Sequence, residues 1–316
     1  MMVDKQHTHS VDSNASGGSG YHIPVMLHEC MDALHIIPDG VYVDCTMGGG
    51  GHSRAILERL NENGRLFAFD QDADAAANAP DDNRLVFVPH NFRYLKKMLR
   101  LHHITQVDGI LADLGVSSHQ FDQAARGFSI RFDANLDMRM NQRSGKTAAE
   151  VLNTYTEQQL HKLFERYGEV TNAKTLARTI VTVRALQPFK TIHQFKQGIQ
   201  EVVKGNPNKY LAQVFQALRI EVNEELTALE ELLEQTVDVL KPGGRIVILT
   251  FHSLEDRIVK QFFKTGSITE PEADAFGRKP QVPFTVITKK PVTASEKELK
   301  LNSRSRSAKL RAAEKK

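Results

Sequence analysis

Three aspartates and a run of four glycines are the residues of this 316-residue chain whose types and spacing suit chemistry. In VYVDCTMGGGGHSRAIL (41–57), a β-branched run ending at Asp44 passes through Gly48, Gly49, Gly50 and Gly51 into a helix-like continuation. Glycines between a strand and a helix let the backbone approach a ligand, and three ligand classes compete for such a turn. A phosphate loop of the nucleotide-hydrolase kind needs GxxxxGK[ST], because a lysine must reach the terminal phosphates, and no Lys follows here. A dinucleotide turn needs GxGxxG or GxGxxA; Gly48 and Gly50 supply two places and Ser53 breaks the third. The remaining pattern, DxxxGxG, uses Asp44 with Gly48 and Gly50 and fits methyltransferases that use S-adenosylmethionine. There the glycines admit the methionine part, and an acid accepts from its ammonium directly or through water. Asp70, ending FAFD, stands where an open α/β fold places a carboxylate for ribose hydroxyls, and Asp113 ends GILAD at the edge of a fourth strand. Carboxylates suit a ligand rich in hydroxyl and amine donors and would repel a diphosphate. Each acid taken singly also suits a plain turn.

The elements that must position these acids follow from the apolar pattern. Short runs at 40–46, 65–70, 84–90 and 107–114 alternate with helical segments, which implies a parallel sheet covered on both faces. A fifth such strand, GRIVILTF, comes only at 244–251, and PFTVITKK and SAKLRAAEK read as two more. The gap between the fourth and fifth strands, about 130 residues (114 to 244), exceeds any single crossover helix, so something is inserted. The insert reads as helical: Thr147 with Glu150, Thr156 with Gln159 and Thr191 with Gln194 fit capping boxes. Leu160, Leu163, Phe164 and Tyr167 recur on one face, with Gly168 placed as a C-terminal cap. From Pro207 an amphipathic run with Leu211, Val214, Phe215, Leu218 and Val222 on one side continues to about Leu240. The expected organisation is a disordered, Gly/Ser-rich extension at 1–20, a doubly wound α/β domain split into 21–121 and 211–316, and a helical subdomain at 122–210.

Composition sets the outer bounds. Hydrophobic residues make up 41% and charged residues 25%, the profile of a globular protein, and no apolar stretch reaches membrane-span length or forms a signal core. A cytoplasmic protein without membrane attachment is the expectation. Cys30 and Cys45 match no metal or disulfide spacing and read as reduced structural thiols, and no metal is called for. Net charge is only +3, but SRSRSAKLRAAEKK at 303–316 concentrates cations, as either a phosphate-binding arm or a solvated tail.

Longer motifs narrow the reading. GGGGHS (48–53), DLGVSSHQFD (113–122), RGFSI (126–130), LDMRM (136–140), FQALRIEVNEEL (215–226), PGGRIVILTFHSLEDRIVK (242–260) and RSRSAKLRAAEK (304–315) together resemble the bacterial ribosomal RNA small-subunit methyltransferase H family, from His22 onward. The resemblance implies a Rossmann-like class I methyltransferase with a doubly wound, mostly parallel seven-stranded sheet and an inserted all-helical subdomain. It implies S-adenosylmethionine as cofactor, with contacts from Gly50, Gly51, His52, Asp70, Phe92, Asp113 and Gln120. The implied activity is methylation of N4 of a decoding-centre (P-site) cytosine in the 16S rRNA of the small ribosomal subunit. Two positions depart from the family pattern: YGEVT at 167–171 where YGEER is common, which puts a role for the second acid in doubt, and His119 where Pro is common.

A cytosine amine is a poor nucleophile because its lone pair is delocalised into the ring. Acceptors for its protons, aligned with the sulfonium methyl, would help. Many amino-methyltransferases supply them from a [DNS]PP[YF] loop; here the matching stretch is DLGV. Either the Asp113 carboxylate and the carbonyls of Leu114 and Gly115 cradle the amine, or Asp113 serves the cofactor and backbone acceptors, Ser117 or Ser118 take that role. Phe128, Phe251 and His252 are candidates to hold an unstacked base, with core packing the alternative for the phenylalanines. Arg139, Arg304 and Arg306 are candidate RNA contacts, Arg139 having an ion pair with a nearby acid as its alternative. His52 also suits a helix cap, and Glu255, Asp256 and Arg257 suit ion pairs at a helix start. Rival readings are a DNA methyltransferase, a nicotinamide oxidoreductase and a non-catalytic RNA-binding protein; the motifs and the acid set disfavour each. Oligomeric state is not set by the sequence, and a homodimer is open to it.

Overall fold

The computed structural model describes residues 24–269 and 280–316; the expected extension at 1–20 lies outside them. Among the described residues eight strands form one sheet: β1 (Val41–Asp44), β2 (Arg65–Phe69), β3 (Leu85–Val88), β4 (Val107–Asp113), β5 (Leu240–Thr250), β6 (Phe284–Val286), β7 (Val292–Thr293) and β8 (Lys309–Lys315). The order is β3-β2-β1-β4-β5-β8-β6, parallel through β5, with β8 antiparallel to both neighbours. The seven expected strand positions become eight strands because the outermost is broken in two. β6 pairs with β8 at 313–315 and β7 at Lys309 and Leu310, on the same flank. Pro291, with no N–H to donate, precedes the second piece.

Both faces of the parallel strands are buried, which is why they read as continuous apolar runs. On one face, α1 (Leu27–Leu34) and α2 (Gly51–Leu57) pack Leu34 and Ile56 on Tyr42, Leu66 and Leu111. On the other, α3 (Leu95–Leu101) packs Leu95 and Leu99 near Phe67 and Ile110. After β4 comes the short α4 (Ser118–Asp122), and the chain then leaves the sheet. Helices α5 (Ala148–Thr154), α6 (Glu157–Gly168), α7 (Ala173–Leu186), α8 (Ile192–Ile199) and α9 (Pro207–Asn223) build a separate core around Leu152, Phe164, Leu176, Phe195 and Leu218. α10 (Glu225–Val239) returns to the sheet, α11 (Ser253–Thr265) follows β5, and α12 (Glu296–Leu301) lies before β8. Among the described residues no helix is long and apolar enough to cross a membrane.

All three expected capping boxes form, at Thr147, Thr156 and Thr191. The amphipathic run from Pro207 is two helices. Glu224 adopts a left-handed φ of 49° and breaks it, so the face of α9 joins the helical core while that of α10 covers the sheet. Residues 211–223, grouped with the sheet on sequence grounds, therefore sit in the helical body. Gly168 ends α6 without capping it: the cap is Glu169 at φ 50°. Gly168 is needed instead for close packing, since a Cβ there would lie 2.9 Å from the Gln213 carbonyl oxygen on α9.

Candidate active site

The sheet order changes direction between β1 and β4, and an open α/β sheet binds its ligand in the crevice at that point. The turn after β1 and the loop after β4 border it. Gly48 (φ 49°) and Gly50 (φ 74°) hold left-handed conformations that shape the turn, and a Cβ on Gly49 would meet nothing within 4 Å. Gly51 is required on the other side, where a Cβ would lie 2.2 Å from Pro24 Cγ.

The three aspartates gather at the carboxyl edge of the adjacent strands β2, β1 and β4, but they are not equivalent. Asp44 is fully buried and spent on the turn: one oxygen accepts from the Thr46 N–H at 3.0 Å and the other from the Ser53 hydroxyl at 2.7 Å. Asp70 accepts from the Gly48 N–H and the Asp72 N–H, each at 2.8 Å, so it ties the glycine turn to the end of β2. Burial pushes its carboxyl up to about 6. Asp113 differs from both. Its Oδ1 is buried with no hydrogen-bond partner among the described residues, and its Oδ2 lies 3.8 Å from His52 Nδ1. Burial raises this carboxyl to about 6 as well, against the opposing pull of His52. Its backbone N–H donates to Thr46 Oγ1 at 2.7 Å, which ties the β1 turn to β4. His52 is itself buried, with Nε2 3.1 Å from the Val25 carbonyl oxygen, so it bridges the segment before α1 to Asp113.

The loop after β4 is fixed by a capping box that sequence reading missed. Ser117 Oγ accepts from the Gln120 N–H at 3.1 Å, and the Gln120 side-chain oxygen accepts from the Ser117 N–H at 3.0 Å. Gln120 also donates to Asp72 Oδ2 at 2.7 Å, and Arg126 meets that same oxygen at 2.8 Å. Arg126, 2% exposed, further donates to the carbonyls of Arg139 and Met140, clamping the β2 edge to the helical body. Gln120 thus enters the site through the protein's own framework, as the holder of Asp72. Phe92, half-buried in a 3-10 turn after β3, packs on the core of the sheet. Ser118 is half-buried at the first position of α4.

The remaining candidates separate. Phe251 lies beside the β4 loop, 3.7 Å from where a Gly115 Cβ would stand, while Phe128 is sunk in the helical core. Arg139 takes the ion-pair alternative, holding both oxygens of Asp137 at 2.8 Å. His252 caps α11, its Nδ1 3.4 Å from the Glu255 N–H, while Glu255 accepts from the Phe251 N–H at 2.8 Å. Glu225, His252 and Glu255 come within 4.8 Å of one another, but Arg219 occupies both oxygens of Glu225. Arg304 holds both oxygens of Asp122 at the end of α4, which brings the 303–307 turn to the β4 loop; Arg306 is exposed on the same turn. The basic stretch is neither arm nor solvated tail: residues 309–315 are strand β8, with Arg311 buried against Asp256 at 2.6 Å. Val170, in the departing YGEVT segment, is buried in the helical core. Thr46, Asp72 and Arg126 carry the framework of the site and were not singled out by spacing. Of the three only Arg126 carries a signal in the sequence, its place in RGFSI.

The residues fit the methionine-bearing cofactor. An unpartnered buried carboxylate oxygen needs a donor, a second carboxylate stands one strand beyond β1, and the glycine turn between them faces open space at Gly49. With a mostly parallel sheet whose β8 alone runs antiparallel between β5 and β6, this defines a class I methyltransferase that uses S-adenosylmethionine. Residues 19–316 match the MraW methylase family, and the chain belongs to it. It is 54% identical over 297 residues to the ribosomal RNA small subunit methyltransferase H of Flavobacterium johnsoniae, covering 93% of this chain and 98% of that one. A protein of the same name from Bacteroides thetaiotaomicron is 54% identical over 298 residues, covering 94% and 98%. Among solved structures, an rRNA methylase from Streptococcus thermophilus aligns only loosely, with 14% identity and a TM-score of 0.40 over 93% of this chain and 98% of that one.

Proposed function

We propose that this protein methylates N4 of a decoding-centre cytosine in 16S rRNA, acting on the small ribosomal subunit in the cytoplasm by direct in-line transfer. The class of substrate is supported by the name that the relatives carry and by the motifs around DLGV and HSLEDR. The observation that carries the chemistry is the buried, unpartnered Oδ1 of Asp113 at the carboxyl end of β4.

Bound S-adenosylmethionine supplies a methyl group on an electrophilic sulfonium. Asp113, oriented by Thr46 and faced by His52, holds the amine end of the methionine part, and Asp70 serves the ribose side. The peptide at Gly115 is turned by its φ of 97°, and the carbonyls of Leu114 and Gly115 accept the N4 protons of the incoming base. Ser117 is committed to its cap, which leaves Ser118 as the side-chain acceptor nearby. Phe251 borders the same loop as an apolar face for the base, and the 303–307 turn, held to α4 by the Arg304–Asp122 pair, presents the exposed Arg306 for flanking phosphates. Held by these acceptors in line with the methyl group that the bound cofactor would supply, the amine would take the methyl as the carbon–sulfur bond gives way, and its N4 proton would pass to solvent. Labelled S-adenosylmethionine incubated with small subunits lacking the modification tests this. Label should map to one cytosine amine, and label on protein, DNA or another nucleotide overturns the reading.

A further inference from the structure

α3 buries Leu95, Met98 and Leu99 against the sheet and turns a different stripe outward. On that stripe Tyr94 is 47% and Leu101 66% exposed, with Lys97 and Arg100 between them also exposed. Glu231 of the neighbouring helix α10 and Glu224 at its cap hold Arg93, and Asp238 of α10 holds Lys96. Lys97 and Arg100 meet no carboxylate among the described residues, which leaves two uncompensated cations beside an exposed ring. A shallow groove of about 470 Å³ runs here between α3 and Gln235 of α10. At Arg93 and Tyr94 it adjoins a cleft of about 620 Å³ between the sheet and the helical body. That cleft reaches Gln71, next to the cofactor carboxylate Asp70, and Asn91.

We propose that this face of α3 docks the RNA strand of the substrate at a distance from the target nucleotide. The inference rests on the RNA substrate proposed above. Lysine and arginine suit phosphates, an exposed tyrosine suits a stacked base, and the combination suits a strand with unpaired bases. A second copy of this chain fits poorly, because a symmetric contact would set Lys97 and Arg100 against like charges.

The test compares the parent with the Lys97→Gln/Arg100→Gln double variant and with Tyr94→Ala. Two assays are run: methylation of unmodified small subunits, and anisotropy of a labelled 16S rRNA fragment across a salt series. For the double variant, KM for subunits should rise about tenfold, and the slope of log affinity against log salt should flatten by about 1 per cation removed. The kcat at saturation, S-adenosylmethionine affinity and melting temperature should stay at parental values. Tyr94→Ala should weaken RNA binding about fivefold or more with little change in salt slope. Unchanged RNA affinity and salt slope in the double variant overturn the docking surface, as does a change confined to self-association. A parent that transfers no label while the double variant still loses RNA affinity overturns the proposed methylation and leaves the surface standing.

Discussion

Replacing Asp113 with Asn should make the cofactor-free protein more stable and the cofactor bind worse. The carboxyl is raised from its ordinary 3.8 to about 6, roughly two units, and each unit is worth about 1.36 kcal/mol. A neutral side chain therefore relieves at most about 3 kcal/mol at pH 8, and the buried amide it introduces gives back about 1 kcal/mol, leaving a gain of about 2 kcal/mol. Because the folded-state value lies above the unfolded one, the native protein binds this proton more tightly. Stability from Asp113 is fully present below about pH 3.8 and is lost as pH rises through 6. Between pH 5 and pH 8 the parent should lose about 1.4 kcal/mol from this group alone, a loss the variant lacks. Urea melts of both cofactor-free proteins at pH 5, 6, 7 and 8 read the difference directly. Calorimetry with S-adenosylmethionine at pH 8 should show about 10- to 100-fold weaker binding for the variant, the cost of one charge-assisted hydrogen bond. Parallel pH profiles, or a variant less stable than the parent at pH 8, would refute the placement of Asp113 as an unsatisfied carboxylate waiting for a cation.

The same carboxylates predict that S-adenosylmethionine affinity of the parent falls as pH drops through about 6, where Asp113 and Asp70 take up protons; titration calorimetry between pH 5 and 8 checks the direction. Thr46→Val removes the acceptor of the Asp113 N–H and should cost about 1–2 kcal/mol in a urea melt, with a several-fold rise in cofactor Kd. Arg126→Met strands Asp72 as a buried charge, so a loss of about 3–5 kcal/mol is expected in the same assay. Gly51→Ala drives a methyl into Pro24 and should lower stability by about 1–3 kcal/mol, whereas Gly49→Ala, with open space around its Cβ, should leave the melt nearly unchanged and instead impair cofactor binding.

Much of the frame was legible because it is written locally. The parallel strands declared themselves as continuous apolar runs, and Thr147, Thr156 and Thr191 each announced a helix start with a partner three residues away. The gathering of Asp44, Asp70 and Asp113 at one sheet edge followed from their standing at strand ends. What each acid does there was not legible, because it depends on neighbours far along the chain. Asp44 is consumed by Ser53, whereas Asp113, tied to Thr46 through its backbone and faced by His52, keeps one buried oxygen without a partner among the described residues. Gln120 meets Asp72 across 48 positions, a pairing no periodicity encodes. The break at Glu224 was hidden because α9 and α10 are both amphipathic, and only the identity of the core each one faces separates them. The basic stretch misled for a related reason: its charges are counted in sequence, while Asp256 and Asp122, which neutralise Arg311 and Arg304, come from other elements.

The position of β8 bears on how this molecule comes to exist. β4 gains its second neighbour only when residues 240–250 have been made, and β5 gains its own only with residues 309–315, yet both lie in the middle of the sheet. A nascent chain that has released the glycine turn, all three aspartates and the whole helical body still lacks the strand that closes β5. Its central apolar strands must wait with an open edge, the condition that invites pairing with other chains. Such long-range closure predicts slow, late folding, with the helical body formed first and the crevice completed last. Premature stops anywhere after β5 should therefore yield aggregation-prone fragments rather than weakened enzymes.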